Sequence, residues 1–202
     1  PVLRALLVAL NEWVSEGRRP PRSRLPRRSD GTLVEAVSQE RVGFPDIPGV
    51  TYNGLMTTGD LFDFGPLFDG GILTVLPPHL VGSPYPVFVP TTDDDGNDLA
   101  GIRLPDVAVP LATYTGWALR GAAFAGDDLC DGFGQKIEFQ QTKADRLAVG
   151  DPRLSIEERY KNHGKYVAEV TRSAVRLWRS RLLLDEDVQR YIAAAEASAV
   201  VK

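Results

Sequence analysis

Cys130 is the only cysteine among 202 residues, and His79 and His163 are the only histidines. One thiol closes no internal disulfide and rules out the Cys-rich clusters that hold structural zinc. Two histidines leave few candidates for a general base. No apolar run reaches the length of a membrane span, and Val2 to Leu10 is amphipathic and too short to cross a bilayer. The Gly-x-Ser-x-Gly turn that presents a serine nucleophile does not occur. Neither common spacing of a phosphate-binding glycine loop is present, and no internal repeat is visible. A formal charge of -4 argues against nucleic acid as the main partner, because phosphate binding calls for a basic surface.

What is present fits a folded chain: 43% apolar and 25% charged residues are ordinary for one sizeable domain or two small ones. The expected class is α+β, in four regions. Residues 1–17 read as an amphipathic helix with a stripe of Leu3, Leu6, Leu7, Leu10, Trp13 and Val14, stopped by Gly17. Pro1 stands where an initiator Met would, and the helix begins with nothing before it to position it. The expectation is a piece of a longer protein, for which a signal peptide and the compartment stay open.

Residues 18–59 read as a long extended strap with one short helix near Ser38 to Val42, pinned down by Phe44, Ile47, Val50 and Leu55. Arg18, Arg19, Arg22, Arg24, Arg27 and Arg28 crowd its start. Pro20, Pro21 and Pro26 stiffen it and no aromatics interleave for base stacking, so the expected setting is an acidic neighbouring surface.

Residues 60–120 read as a small irregular antiparallel β region, with strand-like runs over 71–76, 85–90, 98–103 and 107–109. A hairpin over 86–103 is expected because Asp95-Gly96 supplies the positive φ of a tight turn. Residues 121–202 read as a loop followed by helices. Thr142 caps the first, Ser155-Ile156-Glu157-Glu158 has capping-box spacing, and Val167, Val170, Ala174, Leu177, Trp178 and Leu182 recur at helical intervals. A last helix, about 186–198, opens on Asp185, Glu186 and Asp187, which suit a helix N-terminus.

Candidate chemistry is thin. Pro84 after Ser83 removes the backbone N–H that an oxyanion hole would use. His79 and His163 read as loop or surface groups. Carboxylates on either side of Cys130 suppress thiolate, so the thiol reads as inert. The run Asp93 to Asp98 lacks the sixth-position Gly and twelfth-position Glu of a calcium loop and reads as a solvated hairpin tip. No catalytic residue, metal site or cofactor is expected. The densest pocket-forming segment holds Arg103, Asp106, Tyr114, Trp117 and Arg120: Arg103 and Asp106 are able to pair, and Tyr114 and Trp117 offer flat apolar faces with polar handles. Packing onto a neighbouring domain and a contribution to a substrate site both explain these residues.

Glu12-Trp13-Val14-Ser15-Glu16-Gly17-Arg18-Arg19-Pro20-Pro21 resembles the end of the last helix in esterase-like α/β-hydrolases. The run from Arg103 to Trp117 looks like the C-terminal region of a bacterial α/β-hydrolase-domain family, and Ser155 to Tyr160 is similar to that family's helical part. The resemblance implies a parent serine hydrolase acting on an ester or related acyl bond, with Ser, His and acid upstream of Pro1. It also implies that the partners are the upstream hydrolase core, a small ester substrate and, as a possibility, a second copy. The nucleophile elbow and central sheet of such enzymes are absent from the sequence. A non-catalytic interaction or oligomerisation module is the competing reading. The state of the Leu3, Leu6, Leu10 and Trp13 face separates the two, since a stand-alone module buries it within its own body.

Overall fold

The computed structural model describes residues 1–130 and 132–202. Their architecture is α+β: an N-terminal helix, small antiparallel sheets of two strands each, and C-terminal helices. Helix α1 spans Val2–Glu16. Gly17, at φ 69°, closes it as expected, its N–H reaching Trp13 O while Arg18 N–H reaches Glu12 O.

The strap holds strand β1 (Leu33–Glu35) and the one-turn helix α2 (Gln39–Val42), whose first turn is capped by Ser38 Oγ accepting from Arg41 N–H. Strand β2 (Asp60–Asp63) pairs with β3 (His79–Pro84), and this ladder stands mostly in water. Strand β4 (Phe88–Pro90) pairs with β1 rather than with residues 98–103. The expected hairpin therefore narrows to its tip, where Thr92 bridges Asp98 and Asp93 N–H donates to Asn97 O. The outer arm takes a strand from the strap instead, a pairing that no local pattern encodes.

Three strand-like runs take other forms, residues 98–103 keeping only the bridge at Asp98. Residues 71–76 are irregular, with bends at Val75 and Leu76, after a 3-10 turn at Phe68–Gly70. Pro105 opens the one-turn helix α3 (Pro105–Ala108), because a proline with φ already fixed suits the first helical position and there lacks only a donor that has no partner anyway. Strand β5 (Ala112–Thr115) pairs with β6 (Gln135–Glu138), from Ala112 opposite Glu138 to Thr115 opposite Gln135.

Helices α4 (Lys143–Val149), α5 (Ile156–Arg159), α6 (His163–Arg179) and α7 (Asp185–Ala197) follow. Thr142 and Asp145 cap α4 reciprocally, and Asn162 caps α6 by accepting from Lys165 N–H. At α5, Glu158 accepts from both the Ser155 N–H and its hydroxyl. The same carboxylate takes a forked pair of bonds from Arg146, at 2.5 and 2.8 Å. Arg146 foremost, and Ser155 after it, outweigh the effect of burial and pull the Glu158 carboxyl from 4.5 down to about 2.

A depressed folded-state pKa gives a defined sign. The contribution of Glu158 is complete above its ordinary value of 4.5 and is lost as pH falls toward about 2. Glu158→Gln is therefore expected to lower the urea midpoint at neutral pH, and the gap to the wild type should narrow by about pH 3. A gap independent of pH would show that the carboxylate is not what the site uses.

Burial is divided among three clusters. Val109, Phe139, Ile156, Tyr160, Tyr166, Val170 and Ala195 join α3, β6, α5, α6 and α7. Ala174, Leu177, Leu182, Leu183 and Val188 form the α6–α7 turn cluster, against which Leu6 of α1 packs. Val42, Phe44 and Ile47 pin the strap to the β region, with Trp117 and Ile137 beside them. Phe44 and Ile47 anchor as expected, whereas Leu55 is exposed. Trp178, expected in the buried stripe of α6, is also exposed.

Helix α1 turns its small residues inward. Ala5 and Ala9 are buried, while Leu3, Leu7, Leu10 and Val14 are 82, 67, 50 and 80% exposed. Arg4 pairs with Glu186 and Asp187, and Glu12 pairs with Arg181. Short side chains bring the helix close to the α6–α7 turn, and ion pairs hold each end. Leu6 packs on that turn, and Leu3, Leu7, Leu10 and Val14 are left on the far side.

Candidate functional site

Gly96 makes the turn between Asp93 and Asn97 possible. It sits at φ +77°, and a Cβ there would lie 3.0 Å from Thr113 Cγ2 and 3.1 Å from Phe44 Cε2. The tip is solvated only in part: Asp94 and Asp98 are exposed, but Asn97 is buried, donating to Ala112 O and accepting from Tyr114 N–H. Asp95 receives both guanidinium nitrogens of Arg159, one of them at 2.6 Å, and its carbonyl accepts from Thr113 Oγ1. Asp93 Oδ2 lies 2.5 Å from Arg103 Nη2. Asp93 and Asp95 of the acidic run are thus taken up by arginines, and the tip is a plug clamped to β5 and α5. Among the described residues no group of His, Cys, Asp and Glu converges as metal ligands.

Beneath the plug lies a buried ion pair. Arg153 and Asp151 have side chains 2 and 3% exposed, joined by bonds of 3.0 and 2.7 Å. Arg153 also donates to Thr113 Oγ1, Ile137 O and Glu138 O, and with Arg159 it lies over the Phe139 ring. Burial raises the Asp151 carboxyl, but the Arg153 hydrogen bonds outweigh it and leave it below the ordinary range.

The five residues of the 103–120 segment part company. Arg103 binds Asp93 and Val107 O, while Asp106 Oδ2 accepts from the Tyr191 hydroxyl at 2.8 Å, so the two do not pair with each other. Arg120 donates to Leu129 O and stands in water. Tyr114 lines two recesses. One, about 230 Å³, runs past Asp106, Tyr166 and Tyr191 toward α7. The other, about 170 Å³, is shared with Trp117 and opens toward the strap. Burial pushes the hydroxyls of Tyr114, Tyr166 and Tyr191 up, and for Tyr191 the bond to Asp106 adds to it. These phenols are hydrogen-bond donors at neutral pH, not proton acceptors.

Sequence reasoning missed Phe44 and Tyr52 as site residues. Phe44 packs 5.5 Å from Trp117 and Tyr52 5.6 Å from it, ring centroid to centroid. Both lie in the strap, far away in sequence, and only the β1–β4 pairing brings them near.

Among the described residues no serine nucleophile is assembled. His79 and Ser83 lie on β3 four residues apart, about 13 Å along an extended strand. Both ring nitrogens of His163 face backbone carbonyls, Val200 O at 3.0 Å and Glu196 O at 3.2 Å. Neither histidine bonds a serine hydroxyl among the described residues.

With this geometry in view, comparison with known proteins gives a class. The family model described as alpha/beta hydrolase domain matches residues 1–193, and the chain belongs to that family. No curated protein and no solved structure matches it.

Proposed function

We propose that residues 1–202 are the C-terminal part of an esterase-like serine hydrolase, with the catalytic Ser, His and acid upstream of Pro1. In that reading the upstream serine attacks the carbonyl carbon of an ester, the alcohol leaves, and water releases the acyl group. Helix α1 ends the core, and residues 18–202 form an appendage beside it. The observation that carries the reading is the outward face of α1: of the expected patch Leu3, Leu10 and Trp13 are exposed while Leu6 packs on the α6–α7 turn cluster, and Leu7 and Val14 stand in water beside Leu3 and Leu10. An apolar face of this kind calls for a cover. Membership of an alpha/beta hydrolase domain family supports a hydrolase core as that cover. Of the five residues in the 103–120 segment, Tyr114 and Trp117 line the recess beside the strap, and Asp106 joins Tyr114 in the one toward α7.

The test compares residues 1–202 with a protein extended upstream in its reading frame, using a short-chain nitrophenyl ester. Hydrolysis is expected only in the longer protein and should be lost when its upstream nucleophile is changed to Ala. Serine-dependent hydrolysis by residues 1–202 would overturn the proposal. The second reading, an interaction or oligomerisation module, takes its support from the same α1 face, which a second copy is able to cover.

A further inference from the structure

The recess between the strap and β5 has walls of Phe44, Tyr52 and Trp117, with Met56, Tyr114 and Asp98 beside them. At about 170 Å³ it is close in size to cavities that take a benzene-sized molecule, roughly six heavy atoms. The rings are fixed by mutual packing, with centroids 5.5 to 5.8 Å apart. Tyr52 is held further by its hydroxyl, which donates to Ala36 O.

Charge narrows the ligand. The Asp98 carboxylate has no hydrogen-bond or ion-pair partner among the described residues, and Arg103 acts on it only through space. Arg103 itself is engaged by Asp93 and Val107 O. Asp93, Asp98 and Arg103 together leave one negative charge over, at the rim of an aromatic recess. Anions are repelled there. A primary ammonium would bring three N–H donors, of which Asp98 is able to accept some while the ring faces accept none as well as they receive methyl groups. A quaternary ammonium brings charge without donors, and aromatic faces attract it.

We propose that this recess binds a small quaternary ammonium group, with Asp98 as its counter-ion and Tyr52 and Trp117 as its walls. The inference stands apart from the esterase reading, because the whole recess lies within residues 1–202.

The test is a titration of the chain with choline, read by heteronuclear NMR at the Trp117 indole N–H, which is assigned by its loss in Trp117→Phe. The comparison ligand is dimethylbutanol, the uncharged isostere in which carbon replaces nitrogen. Choline is expected to give a saturable shift, with the alcohol roughly tenfold weaker on the unaltered chain. Asp98→Asn should weaken choline by a similar factor while the rest of the spectrum is unchanged, and Asp98→Glu should retain more of the binding. Absence of a saturable shift, equal affinity for the alcohol, or undiminished binding by Asp98→Asn would each overturn the proposal.

Discussion

Arg153→Ala is expected to be the most damaging single substitution within this chain, lowering stability by about 3–5 kcal/mol. The reason lies in what stays behind. Arg153 is 3% exposed and holds Asp151, Thr113 Oγ1, Ile137 O and Glu138 O at once. Removing it strands a buried carboxylate and leaves acceptors of β5 and β6 short of a donor, whereas loss of a surface pair changes stability by no more than about 1 kcal/mol. For a chain of this size each kcal/mol moves the melting temperature by roughly 2–4 °C, so a fall on the order of 10 °C is expected.

Arg153→Lys supplies the discriminating comparison. Lysine keeps the charge but not the planar fork that serves several acceptors, so it should fall between the wild type and Ala. Thermal melts of the three proteins measure this. A drop of about 1 kcal/mol or less for Arg153→Ala would mean that water replaces the guanidinium and that the pair does not organise the β5–β6 ladder.

The same cluster shows what the sequence made legible and what it did not. Helices α4, α6 and α7 follow from local chemistry: Thr142 with Asp145, Asn162, and the acids that open α7 are all readable within a turn. Strand partners are not local. Leu33–Glu35 finds Phe88–Pro90 across more than fifty residues, and nothing in either segment names the other. Val107 and Val109 look like strand residues, yet Pro105 starts a helical turn. Asp95 and Arg159 look like solvated charges, and only the pairing of β5 with β6 reveals that they clamp the tip around buried Asn97, with Arg159 over Phe139. For the candidate recess, Tyr114 and Trp117 were readable as flat faces with polar handles. Phe44 was readable only as an anchor, and Asp98 only as part of an acidic turn.

Replacing Leu7 and Val14 together by Asp is expected to divide the shorter and longer proteins sharply. In residues 1–202 both side chains already face water, at 67 and 80% exposure, so the melting temperature should hardly move. In the protein extended upstream, a hydrolase core lying on this face would enclose two unpaired carboxylates, each costing several kcal/mol. The longer protein should then lose on the order of 4 kcal/mol or more, or release the appendage from the core. Leu6→Asp is the control, because Leu6 packs against the α6–α7 turn cluster and its loss should destabilise both proteins. A third pattern identifies the module reading: residues 1–202 would sediment as a dimer that the double substitution returns to monomer, with the longer protein's stability unchanged. An equal loss of stability in both proteins would place the cover of α1 inside this chain, no loss in either would mean that nothing covers it, and with either result would fall the argument that the helix ends a hydrolase core.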